Sequence, residues 1–184
     1  MIEIRLHGRG GQGAATAGET LALAAFYEGK YTQSFPYFGA ERRGAPVVAY
    51  TRFDTVPIRV RTGIHSPNCI VVLDSKLIKT VNVLDGLQDG GAIVINAPTW
   101  NLDLPDNVKP SIMAYSDATR IALETIGEPI TNMAMLGAFS KATGWVAIDA
   151  IRKAIGRKFS GAIKEKNVKA AELAYSETEQ VTSR

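Results

Sequence analysis

The stretch IEIRLHGRGGQGAATAGETLALAAFYEG, residues 2–29, predicts how the fold begins. Isoleucine and leucine alternate with charged residues over 2–7, which is the period of a β-strand. Four glycines follow within positions 8–13, and small or apolar residues then recur at the spacing of one helix face before Gly29 ends the helix. A strand, a glycine-rich loop and a helix in this order indicate the start of an α/β domain.

The rest of the chain continues with strand patterns and then with helix patterns. Two of the predicted strands, VVAYTRF and PIRVRT, are expected to form a hairpin around the turn DTVP. The other predicted strands are KYTQSF, CIVVLD, GGAIVINA and, as the last, KPSIMAYS, with a short helix over SKLIKTVNVLDGL. After residue 116 the pattern is helical and ends in an exposed, charged helix. We therefore predict one α/β domain over residues 1–184, with a mixed, mostly parallel sheet, helices packed around it and a helical C-terminal third.

Composition excludes several classes of protein. Of 184 residues, 46% are hydrophobic and 21% charged, which is typical of a soluble globular chain. The apolar runs are too short for a membrane span, the N-terminus shows no leader, and the net charge of +3 is too small to indicate nucleic-acid binding, so we expect a cytoplasmic protein. The single cysteine, Cys69, lies in an apolar run, and one thiol cannot hold an iron–sulfur cluster, which takes four.

The glycine loop admits three interpretations. Residues 8–13 match the dinucleotide pattern G-x-G-x-x-G, but the second predicted strand ends in Ser34-Phe35-Pro36, where a dinucleotide site needs an acidic residue for the ribose. We therefore discount NAD and FAD. A phosphate site remains, built from loop N–H groups and the positive end of the helix, with Arg9 and Gln12 able to reach a bound group. The alternative is a tight turn that only lets the helix approach the strand.

A second loop, GAERRGAP at residues 39–46, also carries charge. Two adjacent arginines between glycines suit neither a core nor a helix, and they could clamp a phosphate or pair with carboxylates of a partner protein. Seven of the eleven arginines lie within the first 61 residues. Four of them are predicted to point outward from strands: Arg5, Arg52, Arg59 and Arg61.

No catalytic constellation is recognisable in the sequence. His7 and His65 are isolated, the cysteine is alone, and neither zinc-ligand spacing nor a nucleophile elbow occurs. The residues thus indicate a chain that binds an anion and performs no redox chemistry alone.

Together, the two loops resemble those of a known family. GRGGQGA, then a helix, then SFPYFGAERRGAPV, resembles the gamma subunit of the 2-oxoacid:ferredoxin oxidoreductases, the pyruvate synthase type. The similarity continues through RV at 59–60, VVLD at 71–74 and TNMAMLGA at 131–138, and so spans nearly the whole chain.

The resemblance implies an enzyme subunit that is not catalytic alone. Such complexes convert a 2-oxoacid and coenzyme A to acyl-CoA and CO2 and pass electrons to ferredoxin or another acceptor. It implies alpha, beta and delta subunits as partners, with thiamine diphosphate, Mg and 4Fe-4S clusters on those subunits and not on this chain. Neither a nucleic acid nor a membrane is an expected partner.

The resemblance also implies which residues contact coenzyme A. They lie in the glycine loop and in the arginine loop: Gly8, Arg9, Gly10, Gly11, Gln12, Gly13, Glu41, Arg42, Arg43 and Gly44. Related single-chain enzymes tend to have lysines and a serine in the second loop, so the assignment of residues to phosphates stays open there. Two other hypotheses also stay open, a purely structural subunit without a ligand and a free nucleotide-binding protein. The sequence does not identify the 2-oxoacid.

Overall fold

A computed structural model describes residues 1–37, 44–100 and 102–181. Across these ranges the chain forms seven β-strands, five α-helices and a short 3₁₀ helix. In chain order they are β1 (Ile2–Arg9), α1 (Ala14–Tyr27), β2 (Tyr31–Tyr37), β3 (Pro46–Asp54), β4 (Cys69–Val72), the 3₁₀ helix (Ser75–Lys79), β5 (Ala92–Asn96), β6 (Ile112–Ser116), α2 (Ala118–Thr125), α3 (Asn132–Thr143), α4 (Ile148–Lys158), α5 (Gly161–Glu177) and β7 (Glu179–Gln180).

The strands form one mixed sheet in the order β2-β3-β1-β4-β5-β6-β7. Strands β1, β4, β5 and β6 are parallel neighbours. Strand β3 runs antiparallel to both β1 and β2, and β7 runs antiparallel to β6. All strands except β3 and β7 therefore point the same way. The predicted α/β class with a mostly parallel sheet and a helical C-terminal part is confirmed.

The chain leaves the carboxyl ends of β1 and β4 in opposite directions. After β1 it passes through α1 to β2, which lies towards one edge of the sheet. After β4 it moves to β5, which lies towards the other edge. Such a switch point opens a crevice between the two strands and is the usual ligand site of open α/β sheets. The predicted glycine loop lies at this point.

The five helices pack on one face of the sheet, and small residues let them come close. Alternate residues of the central strands, such as Ile4 and Leu6, face this layer. A Cβ on Gly18 of α1 would lie 2.9 Å from the Ser34 hydroxyl, and the Thr51 hydroxyl donates to the Gly18 carbonyl. The small-residue face of α1 thus packs directly on β2 and β3. Within the described ranges, no helix is long and apolar enough to cross a membrane.

The last helix is less exposed than the sequence indicates. In α5, Ala170, Ala171 and Ala174 are fully buried, and a Cβ on Gly137 of α3 would lie 1.9 Å from the Ala171 carbonyl oxygen. The prediction of an exposed terminal helix is therefore wrong for this face. The charged residues of α5 mask a stripe of alanines that lies against α3.

The hairpin expected between VVAYTRF and PIRVRT is also wrong. Strand β3 already has β2 on one side and β1 on the other, so no edge remains for a strand from residues 57–62. That segment has no regular secondary structure. Two smaller differences concern SKLIKTVNVLDGL, which is helical only in the 3₁₀ turn, and β7, which follows the strand predicted to be the last.

Two arginines predicted to point outward are buried instead. Arg5 donates from Nη2 to the carbonyls of Val83 and Asp85, and Arg52 is 1% exposed. Arg52 pairs with Glu3 at 2.6 Å and donates to Gly63. Loop carbonyls therefore cover the guanidinium groups on the face of the sheet opposite the helices.

Both edges of the sheet are poor templates for further strands. Strand β2 forms one edge and contains Pro36, which lacks a backbone N–H. Strand β7 forms the other edge and is only two residues long. Pro36 thus removes one donor from β2, and β7 is too short to pair with more than about two residues of another chain.

Replacing Gly137 with alanine should destabilise the chain by about 3 kcal/mol, because the new Cβ would collide with the α5 backbone. Gly156 of α4 is a matched control, since a Cβ there meets only the flexible Lys164 side chain. Gly156→Ala should be neutral or stabilising by up to about 1 kcal/mol. Urea denaturation of both variants checks this, and equal stabilities would contradict the tight α3–α5 contact.

His7 should make the protein less stable as the pH falls. Burial, together with the nearby Arg5 charge, lowers the pKa of His7 from its ordinary 6.5 to about 3. The unfolded chain therefore binds a proton that the folded chain refuses, and stability is lost as the pH drops below the ordinary value. From about pH 6.5 to about pH 5, wild type should lose about 1.5 kcal/mol more than His7→Phe.

The measurement is the urea unfolding free energy at several pH values. His65 is exposed and is the control, and His65→Gln should keep the wild-type pH dependence. An identical pH slope in wild type and His7→Phe would show that His7 is not held neutral.

Candidate anion-binding cleft

A cleft of about 710 Å³ opens at the switch point. Residues that follow β1, β4, β5 and β6 form its walls, together with the segment before α3. They are Gly10, Gly11, Gln12, Leu73, Asp74, Ser75, Lys76, Asn96, Ala97, Pro98, Asp117, Thr119, Glu128, Pro129, Ile130 and Thr131. The starts of α1, α2 and α3 all lie around it, so the positive ends of three helix dipoles converge on one cleft.

Two glycines of the loop need the left-handed backbone conformation. Gly11 has φ 96° and Gly13 has φ 78°, a region that other residues rarely adopt. A Cβ on Gly13 would also lie 2.3 Å from Nδ2 of Asn132, whereas a Cβ on Gly11 would meet no described atom within 4 Å. Gly13 thus serves packing and conformation, while Gly11 faces open space.

The polar side chains of the loop bind within the protein. Nε of Arg9 lies 2.9 Å from Oδ2 of Asp74, and Nε2 of Gln12 donates to the same oxygen at 3.3 Å. Oε1 of Gln12 accepts from the Arg9 backbone N–H at 2.7 Å. The sequence interpretation has Arg9 and Gln12 reaching a ligand, but in this structure both bind Asp74 and shape the loop.

The exit of the arginine loop lies against the glycine loop. The Gly10 N–H donates to Ala45, the Gly44 N–H donates to Gly10, and Nη1 of Arg9 donates to the Gly44 carbonyl at 3.1 Å. The structure thus brings Gly44 to the predicted site. Glu41, Arg42 and Arg43 lie outside the described residues.

Several backbone N–H groups of the loop are available to a ligand. The N–H groups of Gly11 and Gly13 and of Ala14, Ala15 and Thr16, the first residues of α1, have no acceptor within the described part of the chain. Gly8 differs, because it still belongs to β1 and pairs with Val47. Unpaired N–H groups at the start of a helix are the standard means of holding a phosphate.

The opposite wall contains polar residues that the sequence analysis did not select. Nδ2 of Asn96 donates to the Leu73 carbonyl at 2.8 Å and to the Thr119 hydroxyl, and the Thr131 hydroxyl also donates to Leu73. Asn132 lines an adjoining cleft together with Gly13; it is 4% exposed, and its Nδ2 donates to no acceptor among the described residues. The signal for these residues was the placement of a polar residue directly after each buried strand and at the start of α3.

The cleft is not uniformly positive. Lys76 is the cation among the lining residues named above, which also include three carboxylates. Asp74 is paired with Arg9, and Asp117 caps α2 by accepting from the Arg120 N–H at 3.0 Å. Glu128 is the third carboxylate of the lining. Backbone dipoles, rather than side-chain charge, make this cleft favourable to an anion.

The described residues offer binding groups and no reactive group at the cleft. Cys69 is fully buried in β4, where burial raises the pKa of its thiol. No cluster of three or more potential metal ligands occurs in the described ranges. The arrangement can therefore hold and orient a ligand.

Comparison with known proteins gives a consistent family. The family model described as pyruvate ferredoxin/flavodoxin oxidoreductase matches residues 3–177. A gamma subunit common to the pyruvate and ketoisovalerate oxidoreductases of Thermococcus kodakarensis is 55% identical, over 97% of each chain.

Solved structures agree with this match. The PORC subunit of Thermotoga maritima pyruvate oxidoreductase superposes with a TM-score of 0.81 at 35% identity, over 98% of each chain. A chain of Magnetococcus marinus 2-oxoglutarate:ferredoxin oxidoreductase, solved with 2-oxoglutarate, coenzyme A and succinyl-CoA, gives 0.76 at 19% identity. The match covers 95% of the present chain and 30% of that longer one, and at this identity it shows the shared fold.

The Arg9–Asp74 pair should contribute more stability than an exposed pair of equal length. Its side chains are 30% and 15% exposed, against 50% and 45% for Arg152–Glu172, and both pairs are 2.9 Å long. Double-mutant cycles with alanine should give a coupling of about 1 kcal/mol for the first pair and below about 0.5 kcal/mol for the second. Equal couplings would mean that Asp74 does not hold the glycine loop.

Proposed function

The chain belongs to the pyruvate ferredoxin/flavodoxin oxidoreductase family as a gamma subunit, and we propose that it holds the phosphates of coenzyme A for its complex. The complete oxidoreductase would convert a 2-oxoacid and coenzyme A to acyl-CoA and CO2 and reduce ferredoxin. In this reaction the gamma subunit positions a substrate and performs no covalent step.

The unpaired N–H groups at Gly11, Gly13 and the start of α1 carry this proposal. Gly11 lines the cleft of about 710 Å³ at the switch point, which is large enough for part of a nucleotide. Gly13 and Thr16 line the adjoining cleft of about 440 Å³, which shares Glu128 and Ile130 with the first. The missing ribose-binding acid after β2 favours coenzyme A over NAD. The Magnetococcus marinus enzyme, whose chain shares this fold, was solved with coenzyme A bound.

The arginine loop would supply the charge that the cleft lacks. Gly44, at the described end of this loop, is hydrogen-bonded to Gly10 of the glycine loop. We propose that Glu41, Arg42, Arg43 and Gly44 complete the phosphate site together with Gly8, Arg9, Gly10, Gly11, Gln12 and Gly13. Arg9 and Gln12 act through Asp74 by fixing the shape of the loop.

Thiamine diphosphate, Mg and the iron–sulfur clusters would lie on other subunits. The one cysteine of this chain is buried in β4, so the donors for a cluster do not fit here. We propose alpha, beta and delta subunits as the partners and ferredoxin as the electron acceptor. The 2-oxoacid would be selected by those chains, since the Thermococcus kodakarensis relative is common to oxidoreductases for two 2-oxoacids.

A purely structural gamma subunit is the second candidate. The observation that favours it is the internal use of Arg9 and Gln12, whose side chains bind Asp74 at 2.9 and 3.3 Å. On this alternative the arginine loop docks on the thiamine-binding alpha and beta subunits, and the glycine loop is only a tight turn between β1 and α1. The two candidates differ in what happens to coenzyme A.

Replacing Gly11 with leucine in the assembled complex should distinguish a coenzyme A-binding subunit from a purely structural one. The leucine side chain would enter the open space beside the loop and obstruct the N–H groups, so the KM for coenzyme A should rise about tenfold or more. Decarboxylation of the 2-oxoacid without coenzyme A should stay within about twofold of wild type, since that step uses other subunits.

Gly29 provides the matched control. It has φ 79°, also meets nothing described within 4 Å, and lies at the opposite end of α1, so Gly29→Leu carries the same strain away from the cleft. It should leave the KM for coenzyme A unchanged. An unchanged KM in Gly11→Leu, or an equal loss of both half-reactions, would favour the structural role.

A further inference from the structure

The segment from Thr55 to Gly63 looks like a strand and has no partner strand. Its core, IRVR at 58–61, alternates branched apolar and basic residues. Strand β3 is already paired on both sides, so the segment does not join the sheet. It lies on the face of the sheet opposite the helices, where Gly63 contacts Arg52. Backbone N–H groups of residues 58–62 donate to no acceptor in the described part of the chain.

The segment is fixed at its end and exposed along its length. The Gly63 carbonyl accepts from the buried Arg52 at 3.1 Å, and Ile64 is 2% exposed. Between these anchors and β3, Val56 is 58% exposed and Val60 is 42% exposed. A held segment with free backbone groups and exposed branched side chains has the properties of a strand that another protein can extend.

The charge of the segment distinguishes between two possible pairing partners, a second copy of the same segment and a strand of another protein. Arg59 and Arg61 are exposed, form no salt bridge within the described residues, and have no acidic neighbour between Thr55 and His65. Two copies of this segment paired with their apolar residues on one face would place arginines opposite arginines, which is destabilising. A strand with aspartate or glutamate at the facing positions would be stabilised by the same charges.

We propose that residues 58–62 form a β-strand by pairing with an acidic strand of another subunit of the oxidoreductase. Membership of a multi-subunit family supplies the partner, and the basic alternation supplies the selectivity. The apolar positions Ile58 and Val60 would pack on that subunit, while the backbone N–H groups gain their missing acceptors. This inference does not depend on whether the cleft binds coenzyme A.

Hydrogen exchange of the isolated chain and of the assembled complex tests the pairing directly. The amides of 58–62 should exchange freely in the isolated chain and at least about tenfold more slowly in the complex. Unprotected amides in the complex would overturn the proposal. Protection that appears in the isolated chain as its concentration rises would indicate a second copy and would also overturn it.

Val60→Pro tests the backbone contribution. It removes an N–H that has no acceptor within the described chain, so the melting temperature of the isolated chain should not change. Its affinity for the other subunits should fall roughly three- to tenfold, while the control Val60→Thr, which keeps the N–H and the branched shape, should bind normally. Equal affinities for the two variants would exclude strand pairing.

Charge reversal tests the acidic partner. Arg59→Glu with Arg61→Glu should weaken assembly, most strongly at low salt, because the facing carboxylates would then be repelled. The control is Lys164→Glu with Lys169→Glu, an equal change at exposed positions of α5. Equal effects of the two pairs would overturn the acidic-strand assignment.

Discussion

The carboxylate of Asp74 is the contact on which the site depends. Asp74 lies two residues after the end of β4 and accepts from Arg9 and Gln12 of the glycine loop. It also accepts from the Lys76 N–H at the start of the 3₁₀ helix. One partly buried carboxylate thus joins the ends of the two strands between which the sheet switches direction. Because the loop side chains are bound to Asp74, the loop presents its backbone to the cleft, and backbone groups lose no side-chain entropy when a ligand binds.

The order of the main elements could be predicted because each reflects a local rule. Alternation indicates β1, the continuous apolar runs indicate β4 and β5, and Gly29 indicates the end of α1. The same rule failed for residues 57–62, since alternation describes what a strand needs and not whether an edge is free. It failed again for Arg5 and Arg52, because alternation does not show which loops cross that face of the sheet. Val83, 78 residues from Arg5, and Gly63, 11 residues from Arg52, supply the covering carbonyls.

The sequence indicates where the candidate site lies in the chain, but it does not indicate the hydrogen bonds within that site. Glycines after a first strand indicate an anion site, and the structure places them at the switch point beside Gly44. That Arg9 turns to Asp74, 65 residues away, depends on which strand lies next to β1, and strand order is not a local property. Asn96 and Thr131 were missed for the same reason, since their role appears only when the strand ends lie side by side.

The two edge strands affect how copies of the subunit interact with one another before the complex assembles. Before a gamma chain assembles with its partners, a long unprotected edge strand would let several gamma chains pair edge to edge. Pro36 interrupts one edge and the two-residue β7 shortens the other. Both features reduce edge-to-edge pairing between copies of the chain, at positions outside the candidate cleft.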